Sequence, residues 1–298
     1  MEEKNMVRAL SEDGGVVFCG VDSTALVQRM EQIHHTGAVA SAALGRLLTA
    51  ASMMGIMLKS PEDSITLRVK GDGPLGMLIA VTDGMGCVKG CVSHPLVDLP
   101  PRADGHLDVG TAVGRNGTLS VVRDLGLREP YVGQIPLVSG EIAEDITSYY
   151  ATSEQIPSAC ALGVLVNPDL TIACAGGYLV QLLPGATDEE ITQLENNLAE
   201  APSVTEMLRQ GMTPEDMMER VMKGFGPQIL DTHRVDYRCN CSRERTERVL
   251  ISLGRDELKR LEEEEPDGTV EVLCQFCDKK YHIPLAPLLR EIERNAKA

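Results

Sequence analysis

The residues of this sequence best suited to chemistry are two close cysteine pairs, Cys239-Asn-Cys241 and Cys274-Gln-Phe-Cys277. Thirty-two residues separate the pairs, so four sulfurs meet at one point if the intervening segment folds back. Four thiolates at about 2.3 Å satisfy tetrahedral zinc and leave no open position for a substrate. The spacing therefore argues for a structural or switching metal and against a Lewis-acid catalyst. One pair is C-x-C rather than the commoner C-x-x-C, and close pairs oxidise as well as bind metal, so a redox role stands beside zinc. His233 and His282 lie near enough in sequence to be ligands, but four cysteines already complete the shell.

Other chemistry is poorly supported. The remaining five of the nine cysteines (Cys19, Cys87, Cys91, Cys160 and Cys174) are scattered among apolar or glycine-rich neighbours, the usage of a reducing compartment. Cys87 and Cys91 sit among Gly84, Gly86 and Gly90, which suggest turns, and they receive no role. Ser148, Ser153 and Ser158 lie near Glu154, but no Gly-x-Ser-x-Gly elbow accompanies them, and the six histidines cluster with no nucleophile. Gly71-Asp-Gly-Pro-Leu-Gly76 joins two strand-like runs and lacks the Gly-Lys-Ser/Thr ending of a phosphate loop. No catalytic residue is assigned, and the chain is expected not to be an enzyme.

A formal net charge of −16, no Trp and 3% aromatic residues oppose binding to a phosphate backbone or to stacked bases. No nucleic-acid partner is expected. The opening Met1-Glu-Glu-Lys-Asn5 lacks the basic and apolar regions of a signal peptide. The longest apolar run, Leu47 to Leu58, is far short of a membrane span, so no membrane association is expected either.

The elements that must position the cysteines divide the 298 residues into an α+β core over 1–183, a helical linker over 184–230 and a small cysteine domain over 231–298. In the core, Gly15 to Gly20 reads as a strand and Thr24 to Lys59 as a long helical run, with Ala43, Leu44, Leu47, Leu48 and Ala51 at helical spacing. Ser64–Lys70 and Met77–Thr82 are strands about the glycine turn. Leu107–Val113, Gly117–Arg123 and Tyr131–Val138 read as further strands, Glu141–Ser153 as a helix, and Ala159–Asn167 and Leu170–Val180 as the strands that complete the sheet. Strands in runs with few helices between them favour α+β over a doubly wound sheet.

Beyond Leu183-Pro-Gly-Ala186 the linker carries three helix starts: Thr187 with Glu190, Ser203 with Glu206, and Thr213 followed by Pro214. Ile191, Leu194 and Leu198 mark one amphipathic face that must be buried against a partner, and they are the candidate gate of the linker. Met207, Met212, Met217, Met218 and Met222 concentrate five of the thirteen methionines here, as either core or an adaptable surface. Short capped helices are inexpensive to unfold. In the tail, Ser242–Glu265 is a charged helical segment interrupted at Gly254. Thr269–Leu273 and Lys279–Ile283 flank Cys274 to Cys277 as strands, and Leu285–Ile292 closes the domain. So small and charged a tail has little to bury, so metal binding is expected to supply most of its folding free energy.

The whole pattern resembles the thirty-three-kilodalton heat-shock protein family of redox-regulated holdase chaperones. The resemblance rests on the C-x-C and C-x-x-C motif, on Gly254-Arg-Asp-Glu-Leu258, and upstream on Leu44-Gly-Arg46, Gly71 to Gly76, Tyr149 to Ser158 and Gly176-Gly-Tyr-Leu-Val-Gln181. It covers nearly the whole chain. It implies a cytoplasmic, ATP-independent chaperone that binds unfolding client proteins and prevents their aggregation under oxidative stress. By the same resemblance the reduced form holds one zinc per chain on Cys239, Cys241, Cys274 and Cys277 and is inactive. Oxidation joins Cys239 to Cys241 and Cys274 to Cys277, releases zinc, unfolds tail and linker, and yields an active homodimer.

Overall fold

The computed structural model describes residues 4–265 and 267–295; the first three positions of the opening stretch read for a signal peptide, and the last three of the tail domain, lie outside them. In chain order the elements are β1 (Met6–Leu10), β2 (Val16–Asp22), α1 (Thr24–His34), α2 (Ala38–Ile56), β3 (Ser64–Lys70), β4 (Met77–Asp83), β5 (Val88–Val92), α3 (Val109–Val113), β6 (Thr118–Asp124), β7 (Tyr131–Pro136) and α4 (Ala143–Tyr149). A π-helical turn, Tyr150–Glu154, continues α4. Then come β8 (Ser158–Val166), β9 (Ile172–Leu182), α5 (Asp188–Glu200), α6 (Val204–Arg209), α7 (Pro214–Val221), β10 (Gln228–His233), α8 (Arg243–Ser252), α9 (Arg255–Glu264), β11 (Thr269–Leu273), β12 (Lys280–Pro284) and α10 (Leu285–Asn295). They form an α+β protein of two compact units, Met1–Arg238 and Cys239–Ala298.

The first unit holds two five-stranded antiparallel sheets, β10-β1-β2-β9-β8 and β5-β4-β3-β6-β7, where the sequence suggested one. Helix α2 touches strands of both. Every residue of it but Ala38 and Arg46 is buried, and its Ala, Gly and Ser positions allow that close approach. A Cβ on Gly55, for instance, would fall 2.2 Å from Thr82 Oγ1. Its buried hydroxyls are satisfied: Thr49 donates to the Gly45 carbonyl at 2.8 Å and Ser52 to the Gly86 carbonyl at 2.6 Å. By length and composition α2 would also cross a membrane, a possibility the shorter run Leu47 to Leu58 concealed, but 94% of its most apolar window is buried inside the protein.

The sheet containing β1, β2 and β9 is covered on both faces. Cys19, Val21 and Leu179 belong to the core around α2, whereas Val16, Phe18, Tyr178 and Val180 belong to a second cluster filled by the linker helices. Period-two alternation thus sends both faces into apolar surroundings, and these strands read as nearly continuous apolar runs.

Several local expectations are corrected. Leu107–Val113 is not a strand: Val109–Val113 is a one-turn helix, capped by Asp108, whose carboxylate accepts the Thr111 amide at 3.1 Å. The run from Thr24 breaks into two helices at His35, which adopts φ 48°. Cys91 lies not in a turn but in β5, where Gly90 admits α2: a Cβ there would meet the Ile79 carbonyl at 2.5 Å and Leu48 Cδ2 at 2.9 Å. The helix from Glu141 begins at Ala143 and ends in the π turn. Strand β10, which spans the expected boundary at 230/231 and which no sequence pattern announced, pairs with β1 in the first unit.

Candidate metal centre

In the second unit the charged segment forms α8 and α9, interrupted at Gly254, which adopts φ 90°. Ser242 caps α8 by accepting the Arg245 amide at 3.2 Å. β11 and β12 make a hairpin whose turn holds Cys274 and Cys277. The Cys277 and Asp278 amides both donate to the Cys274 carbonyl, and the Cys274 amide to the Lys279 carbonyl, so the loop curls around its two sulfurs. Asp278 takes φ 55°, a left-handed conformation that Asp tolerates better than most residues.

The four sulfurs of Cys239, Cys241, Cys274 and Cys277 lie within 4.8 Å of one another, and each residue is half-buried. Cys239 Sγ is 3.7 Å from Cys274 Sγ, and Cys241 Sγ is 3.4 Å from Cys277 Sγ. Four sulfurs about 2.3 Å from a tetrahedral zinc stand about 3.8 Å apart, so donor type, number and spacing all fit that ion. Both of these close approaches join one pair to the other, so the Cys239–Cys241 segment and the β11–β12 turn converge on a common centre.

The Tyr281 hydroxyl donates to Cys241 Sγ at 3.0 Å. Burial disfavours the Cys241 thiolate, but hydrogen bonds from Tyr281 and from the Cys277, Cys239 and Cys274 thiols outweigh it and bring the thiol down to about 7. Cys239 and Cys277 are raised, by burial first. The site thus already favours charge on one sulfur, the form in which thiols bind metals. Neither histidine weighed as a ligand joins the cluster: His282 faces Glu271 at 3.7 Å, and His233 hydrogen bonds Asp231 at 2.8 Å in the first unit. Tyr281 was missed by sequence reasoning, although period two along β12 places it with Ile283 on the inner face.

Behind the sulfurs is a small core of Leu250, Leu258, Tyr281, Ile283, Leu285, Leu288 and Leu289, with Cys241 and Cys274 packed against it. Two of the four metal candidates therefore border that core. The five other cysteines lie elsewhere. Cys19 is buried and Cys160 half-buried, and burial pushes both thiols up to about 12, which leaves them poor nucleophiles.

In the first unit the linker helices sit on the sheet through Leu194, Val204, Met207, Met217, Met218, Val221, Met222 and Phe225. Thr187 and Thr213 make complete capping boxes with Glu190 and Asp216, whereas Ser203 only accepts the Glu206 amide. Of the three gate candidates, Leu194 is 5% exposed in this cluster, Leu198 packs at its margin, and Ile191 is half-buried outside it.

Residues 4–284 match the family model described as Hsp33 protein. The chain is 48% identical over 276 residues to a 33 kDa chaperonin of Clostridioides difficile, covering 93% of this chain and 94% of that one. It is 45% identical to a 33 kDa chaperonin of Bacillus subtilis over the same shares. The crystal structure of the 33 kDa chaperonin (heat shock protein 33 homolog) from Thermotoga maritima superposes with a TM-score of 0.88 at 34% identity, over 99% of this chain and all of that one. An α+β core followed by a four-cysteine unit defines a recognisable class of two-part protein. The chain belongs to the Hsp33 family.

Proposed function

We propose that the protein is a redox-regulated, ATP-independent holdase that binds unfolding proteins and keeps them from aggregating under oxidative stress. The observation that carries this reading is the convergence of four sulfurs within 4.8 Å in a unit whose own core is seven side chains. Family membership and relatives named as chaperonins support the chaperone class.

In this reading Cys239, Cys241, Cys274 and Cys277 hold one zinc in the reduced, inactive form. Bound zinc would keep all four sulfurs as thiolates and add about 10–16 kcal/mol of apparent binding free energy to a fold with little else to hold it. A peroxide oxidises each close pair, Cys239 with Cys241 and Cys274 with Cys277. Two thiolates give up two electrons, one S–S bond forms, and the O–O bond of the peroxide breaks as it takes up two protons from solvent and leaves as two waters. The sulfurs then no longer serve as ligands, and the disulfides close loops too short to restore the fold. The chain divides functionally into core 1–183, linker 184–230 and switch 231–298.

Unfolding of the switch loosens the linker, with Ile191, Leu194 and Leu198 as its gate. The apolar face of Val16, Phe18, Tyr178 and Val180 then becomes available to clients and to a second copy, giving an oxidised homodimer. The protein acts in the cytoplasm, performs no catalysis, and engages neither nucleic acid nor membrane.

The test measures zinc release together with light scattering of a heat-denatured client, in reduced and peroxide-treated samples. Suppression of scattering only in the oxidised, zinc-depleted sample supports the reading. Equal suppression in both samples, or oxidation that releases zinc without any client binding, overturns it.

A further inference from the structure

Four methionines in the linker region are packed away from solvent. Met207, Met217 and Met222 are 0% exposed and Met218 is 4% exposed, all in the cluster between the helices and the sheet. The apolar side chains they share that cluster with include Val7, Ala9, Val16, Phe18 and Val180. The two helices that carry three of the four are short, six and eight residues. Met6, Met30, Met53 and Met54 lie instead in the core around α2, and Met85 is 46% exposed. The chain therefore carries buried methionines in two separate clusters and an exposed one in Met85.

We propose that Met207, Met217, Met218 and Met222 are a second oxidation site, reached only after the linker helices have left the sheet, and that their sulfoxides hold the protein open. The inference rests on the opening proposed above. The oxidant is a peroxide: its O–O bond breaks, an S–O bond forms on the thioether, the sulfur gives up two electrons, and the remaining oxygen leaves as water. A sulfoxide is bulkier and far more polar than the thioether, and reclosing the helices buries it among the apolar side chains that pack the methionines now. Each buried, unpaired sulfoxide disfavours closure by about tenfold or more. Thiol reduction and zinc then do not suffice to shut the chaperone; sulfoxide reduction is a separate, necessary step. The duration of oxidant exposure is thereby recorded in a chemistry distinct from that of the cysteines.

The experiment uses the full chain, oxidised by hydrogen peroxide, then returned to dithiothreitol and zinc. Client holding, sulfoxide content by peptide mass spectrometry and hydrogen exchange over 187–224 are followed together. The comparison is the fourfold variant M207L/M217L/M218L/M222L, volume-conserving replacements that a sheet-packed helix tolerates. In the reduced zinc form, Met85 should oxidise while the four do not. After oxidation and thiol reduction, the parent should go on holding client until methionine sulfoxide reductase is added, and the leucine variant should close without it. Should the variant fail to fold, the reductase arm on the parent protein decides alone. Oxidation of the four as fast as Met85 in the closed form overturns the inference, as does full closure of the parent with all four sulfoxides in place. Accelerated exchange over 187–224 without sulfoxides refutes this inference and leaves the opening intact; unchanged exchange on oxidation refutes both.

Discussion

The hydroxyl of Tyr281 stands 3.0 Å from the sulfur of Cys241, while the ring of the same residue is part of the small core behind the site. One side chain thus joins the packing of the second unit to the sulfur cluster. Outer partners of this kind typically change metal affinity by about 10–100-fold when removed. Tyr281→Phe keeps the ring and loses the hydrogen bond, so zinc affinity should fall by about tenfold in a chelator competition while the unit still folds at saturating zinc. Unchanged affinity would show that the hydroxyl is only a packing neighbour.

Replacement of Cys239, Cys241, Cys274 or Cys277 by Ser should abolish stoichiometric zinc, measured by metal analysis after dialysis. Serine at Cys19, Cys87, Cys91, Cys160 and Cys174 should leave one zinc per chain. Full zinc retained by the quadruple serine variant of the cluster would refute the ligand assignment.

Strand β10 is fastened to β1 by Asp231, which accepts Arg8 Nε at 2.9 Å and a second guanidinium nitrogen of the same residue. The hydrogen bond from Arg8 holds this carboxyl below the usual carboxylate range, with partial burial acting the other way. A depressed acid contributes stability that is fully present above its unfolded pKa and is lost as pH falls through the folded value. Asp231→Asn should therefore lower protection of the β10 amides by about 1 kcal/mol at neutral pH, and the gap should close in strong acid. Hydrogen exchange at both pH values measures it; a gap that persists in acid would refute the linkage.

Leu194 offers the sharpest test of the linker as a cover. Leu194→Asp places a carboxylate in an apolar cluster and should destabilise the docked helices by on the order of 3 kcal/mol. The reduced, zinc-bound variant should then hold client in part, with faster exchange over 187–224. If the helices are loosened and no client is held, the gate lies elsewhere.

Features encoded within a few residues were legible in the sequence. The cysteine spacing, the Thr187 and Thr213 caps and the β11–β12 hairpin depend on neighbours at short range. Features that depend on distant partners were not. The bonded pair Arg8 and Asp231 is 223 positions apart, and β10 displays Ile229 and Leu230 to solvent, so no amphipathic pattern marks it as part of a sheet. Val109–Val113 suits strand or helix by composition, and the Asp108 cap decides between them. The methionines were readable as either surface or core, and only the sheet beneath them settles that they are core in this state.

The place of β10 in its sheet also bears on how the molecule is made. Residues Met6–Leu10 find their second partner only when Gln228–His233 emerges, because β1 lies between β2 and β10. Chains are synthesised from the amino terminus at about 5–20 residues per second, so β1 waits on the order of ten seconds or more with one edge unpaired. A bare edge is a template for strands of other nascent chains. Truncation before Gln228 would make that exposure permanent, and the product should aggregate. For most of its own synthesis, this chain carries the kind of open backbone edge from which other chains need protection.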